Sequence, residues 1–496
     1  MNRTRRNILK MAALVAAMSI LALNLSHAED KPPACKPNIV VILADDMGYG
    51  DLGCYGATKV KTPNLDRLAG AGMRFTDAHS PSAVCSPTRY GLLTGRYAWR
   101  TRLKSGVCKP NDPLLIEQGR TTLASMLKSQ GYATAVVGKW HLGFGNKKPD
   151  WNGDLKPGPL EVGFDYYFGI PVVHGYPPAL FVENHRVVGL DPSDPITSVD
   201  DPVHRKLPGL PRGIFGDMKG GAEARIQPEH IDDRQAEKAV AWLESVPRTQ
   251  PLFLYFATST IHEPCMPNPR YKGTSQCGVR GDCIQEHDWC VGQILDALDR
   301  TGRAEDTLVI YSSDNGDWVK SQLYEPEEGI PARYGHKPNG DLRGQKCEIW
   351  EGGHRVPLIV RWPGRTPAGK ASSELVCLTD VLATCAELVS APLPDDAGED
   401  SFSFLPVILG QPRATPRGTL VMHGNAGEFA VREGAWKLIV GNDAPNPDAS
   451  KRPAGILVNL EHDLGEKKNL CAEKPEIVSQ LMAQLEKIKQ DGRSRP

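Results

Sequence analysis

The chain has 496 residues, of which 40% are hydrophobic and 24% are charged, a length that allows about two to four domains and a large core. Its 58 Lys and Arg residues nearly balance 59 Asp and Glu residues. This balance argues against a nucleic-acid-binding protein, which would normally carry a basic face. Apart from the first residues, no apolar run reaches transmembrane length. These features favour a soluble, loop-rich globular enzyme.

Residues 1–28 have the layout of a secretory signal peptide. Basic residues within positions 3–10 precede an apolar segment from Met11 to Leu25, and residues 26–28 (Ser-His-Ala) offer a small-residue cleavage site. Residues 4–10 are similar to a twin-arginine export signal. Cleavage would remove four basic side chains and leave 54 against 59 acidic ones, a net charge of −5. We expect an exported protein, periplasmic or secreted from a bacterium, without a membrane anchor after cleavage.

The twelve cysteines do not indicate a disulfide scaffold in a chain of this length, and no C-x-x-C pair is present. The spacing of Cys277, Cys283 and Cys290 fits no familiar zinc site. We therefore expect one or two disulfides together with buried thiols.

From residue 38 to residue 389 the pattern alternates strands and helices. Continuous apolar runs predict buried strands, and helical periodicity between them predicts helices. The predicted strands are Asn38–Ala44, Ala133–Val137, Leu252–Ala257, Thr307–Ser312 and Val356–Trp362. The predicted helices are Thr62–Leu68, Thr122–Gln130, Asp232–Glu244, Asp282–Asp299 and Glu374–Val389. This alternation predicts an α/β fold with a mostly parallel sheet flanked by helices.

Two regions interrupt this alternation. Between residues 142 and 227 the periodicity fades into a Pro- and Gly-rich stretch, which we assign to the rim of a pocket because loops this long are often functional. Candidate substrate contacts there are His174, Tyr176, His185 and Arg186. Near residues 410–417 Pro and Gly cluster again, before short strand-like runs and a helix around Pro475–Ile488. We therefore predict a large domain over 29–412 and a small α+β domain over 413–496.

Four predicted strands end in polar residues. The segments that follow them are Asp45-Asp46, residues 138–141 (Gly-Lys-Trp-His), residues 260–262 (Thr-Ile-His) and residues 313–316 (Ser-Asp-Asn-Gly). Each alone is usually a turn. In a parallel sheet, however, the carboxyl ends of the strands share one edge, where active sites lie. We expect the four segments to converge there.

The residue types at this edge specify the chemistry. The hard oxygen donors that calcium or magnesium prefers over zinc are Asp45, Asp46, Asp314 and Asn315. Lys139, His141 and His262 add positive charge or proton transfer. A divalent cation surrounded by basic side chains suits an anionic tetrahedral group such as sulfate or phosphate.

The segment from Val84 to Arg96 reads V-C-S-P-T-R-Y-G-L-L-T-G-R. It resembles the signature of the type I sulfatase family, C-x-P-[ST]-R followed by x-x-L-L-T-G-R, in which the cysteine is oxidised to formylglycine (3-oxoalanine). Further elements resemble the family in the same order: the Asp-Asp after the first strand, Gly-Lys-Trp-His-Leu-Gly at 138–143, His262-Glu263-Pro264, Ser-Asp-Asn-Gly at 313–316, and Leu-Arg-Gly-Gln-Lys at 342–346 before Trp-Glu-Gly-Gly at 350–353. The resemblance runs from about Pro37 into the C-terminal domain and is nearest to the arylsulfatase A and N-acetylgalactosamine-6-sulfatase types.

The resemblance implies an alkaline-phosphatase-like fold, with a large mixed sheet and a smaller C-terminal domain. It implies hydrolysis of sulfate esters by a formylglycine hydrate at position 85, through a covalent sulfo-enzyme intermediate and with Ca²⁺ (Mg²⁺ being the alternative). The expected substrates are aryl sulfates in vitro and a sulfated sugar of a polysaccharide or glycosaminoglycan in nature. The expected partner is the formylglycine-generating, or sulfatase-maturating, enzyme.

The resemblance also assigns roles by position. The metal ligands would be Asp45, Asp46, Asp314, Asn315 and the modified Cys85. Arg89 would hold the hydrate, and His141 would take the proton of its second hydroxyl. Lys139, His262 and Lys346 would contact sulfate oxygens, with His262 or Lys346 protonating the leaving alcohol. The chain departs from the commonest pattern at Thr88, where serine is frequent, and at Gln345, where glycine is usual.

Two other functions remain open on the sequence. A phosphate mono- or diester hydrolase could use the same fold and metal, because phosphate and sulfate share size and geometry. A non-catalytic relative could bind sulfated sugars, although the intact set of Cys85, Arg89, Lys139 and His141 argues against it.

Overall fold

The computed structural model describes residues 36–173, 177–200, 203–205, 213–215, 217–318, 333–413, 416–442 and 455–496. The strands, β1 to β20 in chain order, are Asn38–Ala44, Met73–Phe75, Ala78–His79, Ala133–Gly138, Tyr166–Gly169, Val182–Glu183, Arg186–Val187, Ser198–Val199, Val203–Arg205, Gly213–Phe215, Met218–Lys219, Leu252–Ala257, Thr307–Ser313, Leu358–Arg361, Lys370–Ser372, Val376–Cys377, Thr419–His423, Glu428–Glu433, Trp436–Asn442 and Ile456–Asn459. The α-helices, α1 to α9, are Pro63–Gly70, Cys85–Thr94, Leu123–Ser129, Ile231–Ser245, Gly278–Arg300, Glu351–His354, Asp380–Leu388, Leu405–Ile408 and Pro475–Gln490. Short 3-10 helices cover Gly53–Tyr55, Ala98–Arg100, Pro228–His230, Pro269–Tyr271 and Ala304–Asp306.

A ten-stranded mixed sheet organises residues 37–372. Its strand order is β15-β2-β14-β13-β1-β12-β4-β5-β6-β7. The central strands β13, β1, β12, β4 and β5 are parallel to one another, whereas β14, β6 and β7 run antiparallel to their neighbours. The predicted α/β fold is confirmed, because the sheet is mostly parallel and helices pack on both of its faces.

The two faces of this sheet bury separate cores. Ile39, Val41 and Leu43 of β1 point into one core, and Val40 and Ile42 point into the other. Helices α2, α3 and α7 pack on the first face, and helices α1, α4 and α5 on the second. Because every residue of β1 is buried, this strand reads as a continuous apolar run rather than an alternating one.

A four-stranded antiparallel sheet, β17-β18-β19-β20, follows the large sheet and carries α9. Side chains of β17, β18 and α9 surround Tyr97 and Trp99 of the preceding part of the chain. The predicted smaller C-terminal α+β unit is therefore present. Residues 37–496 cluster into one compact unit, and the domain boundary at residue 412 stays a prediction.

Some sequence predictions were wrong in detail. The helix predicted over Glu374–Val389 begins at Asp380, because Val376–Cys377 instead pairs with Ala78–His79 as a two-stranded ladder. Ile456–Asn459 is a strand that the sequence did not predict. The eleven cysteines of the described residues are all free, so the expected disulfides are not found there.

The predicted signal peptide, together with His174 and Tyr176, lies outside the described residues. Within the ranges given above, no helix combines the length and the apolar character needed to cross a membrane.

Candidate active site

The four polar segments predicted to converge do lie at one edge of the sheet. Strands β13, β1, β12 and β4 are consecutive parallel neighbours, so their carboxyl ends share that edge. Asp45 follows β1, Asp314 follows β13, Lys139 follows β4, and the segment leading to His262 follows β12. Glycine at position 138 allows the end of β4 to lie close to β12, since a Cβ there would lie 1.8 Å from the Ala257 carbonyl oxygen of β12.

One half of the cluster is held by Arg89 of α2. Its Nη2 donates to Asp314 Oδ2 at 2.6 Å and lies 3.6 Å from Asp45 Oδ1. Lys139 Nζ donates to Asp45 Oδ2 at 2.7 Å. All four of these side chains have no solvent exposure. Burial and the neighbouring Asp45 carboxylate raise the pKa of Asp314 to about 6, against the effect of Arg89.

The other half is built around Asp46. Lys346 Nζ lies 2.7 Å from both carboxylate oxygens of Asp46, and Asn315 Nδ2 donates to Oδ1 at 2.7 Å. His262 Nε2 is 3.9 Å from Oδ2. Although burial opposes it, the charges of Lys346 and His262 hold the pKa of Asp46 below its usual range. Asp46 is therefore ionised at neutral pH.

Cys85 is the first residue of α2, and its thiol meets the two aspartates. One ligand atom each from Asp45, Asp46, Cys85 and His262 lies within 4.8 Å of the others. The N-terminus of a ten-residue helix favours negative charge at this point. Burial nevertheless raises the pKa of the Cys85 thiol to about 12, so that an unmodified thiol is protonated and a weak nucleophile at neutral pH.

His141 has a defined tautomer. Its Nε2 is 3.0 Å from the Cys108 carbonyl oxygen, which can only accept, so Nε2 carries the proton. Its buried Nδ1 has no hydrogen-bond partner within the part of the chain that the structure describes. Burial, with the positive charges of Lys139 and Arg89, lowers the pKa of His141 well below its usual range. Nδ1 therefore presents a free lone pair, as a general base requires.

The donor set fits a hard divalent cation. Asp45 Oδ1 and Asn315 Oδ1 are both buried without a hydrogen-bond partner among the described residues. Uncompensated oxygens of this kind are costly unless a ligand such as a cation meets them. Hard oxygen donors favour Ca²⁺ or Mg²⁺. The residues at this sheet edge therefore suit such an ion.

Backbone strain concentrates at the same place. Non-glycine residues with positive φ include Asp46 at 69°, His141 at 54°, Ile261 at 113° and Cys347 at 74°. Each is a site residue or the immediate neighbour of one, and Ile261 is β-branched, for which such a φ is an outlier. Conformations of this kind cost about 1–3 kcal/mol each and persist where the surroundings fix them, commonly at functional sites.

The sequence did not point to Arg280, which supports the loop that follows β1. Its guanidinium pairs with Asp51 and with Asp317 at 2.6 Å, and Nη2 donates to the Asp46 carbonyl at 3.3 Å. Asp51 also meets His336 at 2.7 Å. Arg280 is one of two arginines in a 23-residue helix, more than 200 positions from Asp51, and nothing in its sequence context distinguishes it.

The two described substrate candidates lie away from the cluster. His185 Nε2 pairs with Glu161 at 2.8 Å, and Arg186 Nε with Asp154 at 2.7 Å. Arg186 belongs to β7, the edge strand, three strands beyond β4, a separation of about 14 Å at the usual strand spacing.

Comparison with known proteins finds one family model and several similar proteins. The family model described as Sulfatase matches residues 37–391. The chain is 41% identical to the N-acetylgalactosamine-6-O-sulfatase of Bacteroides thetaiotaomicron, over 92% of this chain and 93% of that protein. It is 33% identical to arylsulfatase A of Homo sapiens, over 95% and 90% of the two chains. A solved structure described under the metabolism of multiple glycosaminoglycans by Bacteroides thetaiotaomicron superposes with a TM-score of 0.84 at 39% identity, covering 92% of this chain and 100% of the other.

Proposed function

The chain belongs to the sulfatase family, and from that membership we propose that it hydrolyses a sulfate ester of a sugar, with residue 85 as the nucleophile after oxidation to formylglycine. Sulfuric ester hydrolysis itself follows from the close relatives, which are sulfatases. The observation that carries the finer proposal is the position of Cys85, buried at a helix N-terminus among two aspartates, Lys139 and Lys346.

The modified residue would supply two hydroxyl groups on one carbon, a nucleophile that the protonated thiol cannot replace. Arg89, whose charge also reaches Cys85, would orient that group. His141 would accept a proton at its unpartnered Nδ1. The negative charge of the sulfate would be met by Lys139 and Lys346, both of which are buried and paired with carboxylates.

The leaving alcohol would need a proton, and His262 is the proposed donor, with Lys346 as the alternative. His262 Nδ1 lies 2.6 Å from the Glu263 carbonyl oxygen, so Nδ1 carries a proton, and Nε2 faces Asp46. His262 would donate from Nε2 as an imidazolium and become the neutral ring that is protonated on Nδ1. A calcium or magnesium ion, held by Asp45, Asp46, Asp314, Asn315 and residue 85, would neutralise charge on the sulfate oxygens.

The proposed natural substrate is a sulfated sugar from a polysaccharide or glycosaminoglycan. The support is the relative at 41% identity, which is named for N-acetylgalactosamine-6-O-sulfate chemistry, and the structural neighbour described under glycosaminoglycan metabolism. Contacts from the 142–227 stretch, His185 and Arg186 included, remain proposals. Export through residues 1–28 and a formylglycine-generating enzyme complete the proposal.

The test is mass spectrometry of the peptide that contains residue 85, on enzyme exported by its own source organism, combined with aryl sulfate turnover. We expect the mass difference between CH₂SH and CHO, together with loss of turnover in Cys85→Ala. Cys85→Ser is the matched control, since it keeps a hydroxyl but cannot release sulfate from its ester. An unmodified thiol in a fully active enzyme would overturn the proposal.

A further inference from the structure

A second group of buried ionisable side chains lies outside the active site, between the large sheet and the small one. It consists of Asp77, His79, Glu351, His354, Arg355, Arg432, Lys437 and Glu466. His79 and His354 have no solvent-exposed side-chain surface, and neither has Lys437. We call this group the relay cluster.

The relay cluster already contains its cation. His79, Glu351 and His354 have the composition of a metal site, but Lys437 Nζ lies 3.0 Å from Glu351, 3.0 Å from His354 Nε2 and 2.8 Å from Glu466. Three carboxylates (Asp77, Glu351, Glu466) and three cations (Arg355, Arg432, Lys437) balance one another. An added divalent ion would leave a buried excess of positive charge, which is costly.

The two histidines of the relay cluster are joined through their Nδ1 atoms, which lie 3.0 Å apart, so that one Nδ1 donates and the other accepts. His354 Nε2 lies 3.0 Å from Lys437 Nζ, which can only donate, and 3.2 Å from the Ile349 carbonyl oxygen, which can only accept. His79 Nε2 lies 2.8 Å from Asp77 Oδ1 and 3.1 Å from Arg432 Nη1. The shorter contact of each ring favours a proton on Nδ1 of His354 and on Nε2 of His79. Burial lowers the pKa of both histidines, which agrees with two neutral rings.

The backbone carbonyl of His354 fixes the segment that leads to residue 85. His354 O accepts from both Ser80 N at 2.8 Å and Ser80 Oγ at 3.2 Å. Ser80 Oγ also lies 2.7 Å from the Ser82 carbonyl, which accepts from Thr88 Oγ1 of α2 at 3.1 Å. The first turn of α2 is thus linked to His354 through Ser80 and Ser82.

The loop of Lys346 is bonded to the same segment. Cys347 N donates to Ala83 O at 2.9 Å, two residues before Cys85. His79 precedes Cys85 by six residues, and His354 follows Lys346 by eight. A hydrogen bond between the two histidines therefore ties together the two backbone segments that carry these site residues, and Lys437 of β19 anchors it from the small sheet.

We propose that Lys437, His354 and His79 are positioning residues for sulfate ester hydrolysis, which set the nucleophile at residue 85 against Lys346. This inference rests on the proposed role of Cys85. It makes the small sheet necessary for catalysis although its Lys437 does not touch the substrate.

The first test is the double variant Lys437→Met/Glu466→Gln, which removes the donor to His354 while conserving the charge balance. We expect kcat for an aryl sulfate, normalised to aldehyde content, to fall by up to about 100-fold, with KM nearly unchanged. The matched control is Arg100→Met/Asp400→Asn, which breaks another buried ion pair, one whose Arg100 also reaches the Ile488 carbonyl of α9. If the Lys437/Glu466 and Arg100/Asp400 variants lose the same amount of melting temperature and also the same factor in kcat, the proposal is overturned.

The second test needs no variant. In enzyme labelled with ¹⁵N-histidine, a scalar coupling across the hydrogen bond between two Nδ1 atoms should appear, with one ring protonated on Nδ1 and the other on Nε2. Absence of that coupling in folded enzyme, or an imidazolium in the pair at neutral pH, would refute the relay. An unmodified Cys85 in active wild type would instead refute the proposed function, and mass spectrometry separates the two failures.

Discussion

Replacing His141 by alanine is the most direct test of the proposed chemistry, because this residue has one assigned proton and one free nitrogen. Nε2 is committed to the Cys108 carbonyl, and Nδ1 is buried without a partner among the described residues. The substitution removes the free base. The hydrogen bond lost with it is worth only about 1 kcal/mol, so we expect the variant to fold.

The expected effect on rate is larger than the effect on stability. General-base catalysis contributes about 10²- to 10⁴-fold, which corresponds to about 3–5 kcal/mol of transition-state free energy. Because His141 is proposed to act after the alcohol has left, KM should fall together with kcat, and kcat/KM should change little. Since burial lowers the pKa of His141, its neutral, active form persists below pH 6.5. Protonation of His141 should therefore reduce wild-type activity only at lower pH.

Stopped-flow measurement with an aryl sulfate distinguishes the steps. His141→Ala should release about one equivalent of aryl alcohol per aldehyde-containing site rapidly and then turn over slowly, the pattern of a blocked second step. His287→Ala is the matched control, a buried histidine bonded to Thr258 and Tyr311 rather than to the cluster. Slow release from the first turnover, or full activity in His141→Ala, would refute the assigned role.

Three further outcomes are expected. Calcium should raise the melting temperature of metal-free enzyme, with about 2.7 kcal/mol of stabilisation at a hundredfold excess over Kd, whereas Asp45→Asn/Asn315→Ala should show no shift in the same thermal scan. Steady-state assays should give a higher kcat/KM for an aryl sulfate than for the matching aryl phosphate, and the reverse order would favour the phosphate-ester alternative. Burial lowers the pKa of His287 to about 3, so the unfolded state binds its proton first as pH falls below 6.5. Urea titrations should therefore show that wild type loses up to about 1.4 kcal/mol more per pH unit than His287→Ala between pH 6.5 and 5; parallel curves would contradict this.

The sequence predicted the central strands because their burial on both faces makes them continuous apolar runs. β1 and β12 have the predicted bounds, and β4 and β13 extend one residue further. The convergence of the polar segments followed from topology, since carboxyl ends of parallel strands meet at one edge. β20 and the Val376–Cys377 strand were not predicted, because strands of two to four residues carry too little periodicity and are defined only by pairing with other strands.

The residues that support the site could not be predicted from the sequence for a different reason. Arg280 and Asp51 are more than 200 residues apart, and His79 lies over 350 residues from Lys437. Ion pairs and histidine tautomers of this kind depend on where two distant segments pack. Short motifs identify groups that act on a substrate, because several such groups sit at strand ends. The groups that hold them are scattered over ordinary helices and strands.

The charge balance of the active site gives a physical reason why the groups that act on a substrate need other groups to hold them. Three buried carboxylates (Asp45, Asp46, Asp314) face three buried cations (Arg89, Lys139, Lys346), so the cluster is neutral without a ligand when both histidines are uncharged. A divalent cation would add two positive charges; a bound sulfate ester, which is a monoanion, would offset one of them, and the released sulfate dianion would offset both. Without a ligand, Asp45 and Asp46 pair with Lys139 and Lys346 at 2.7 Å each and hold these lysines in place. Such preorganisation requires a rigid surrounding layer, because electrostatic stabilisation works only where the dipoles and charges are already in place, and that layer is what Arg280, the strained backbone and the relay cluster supply.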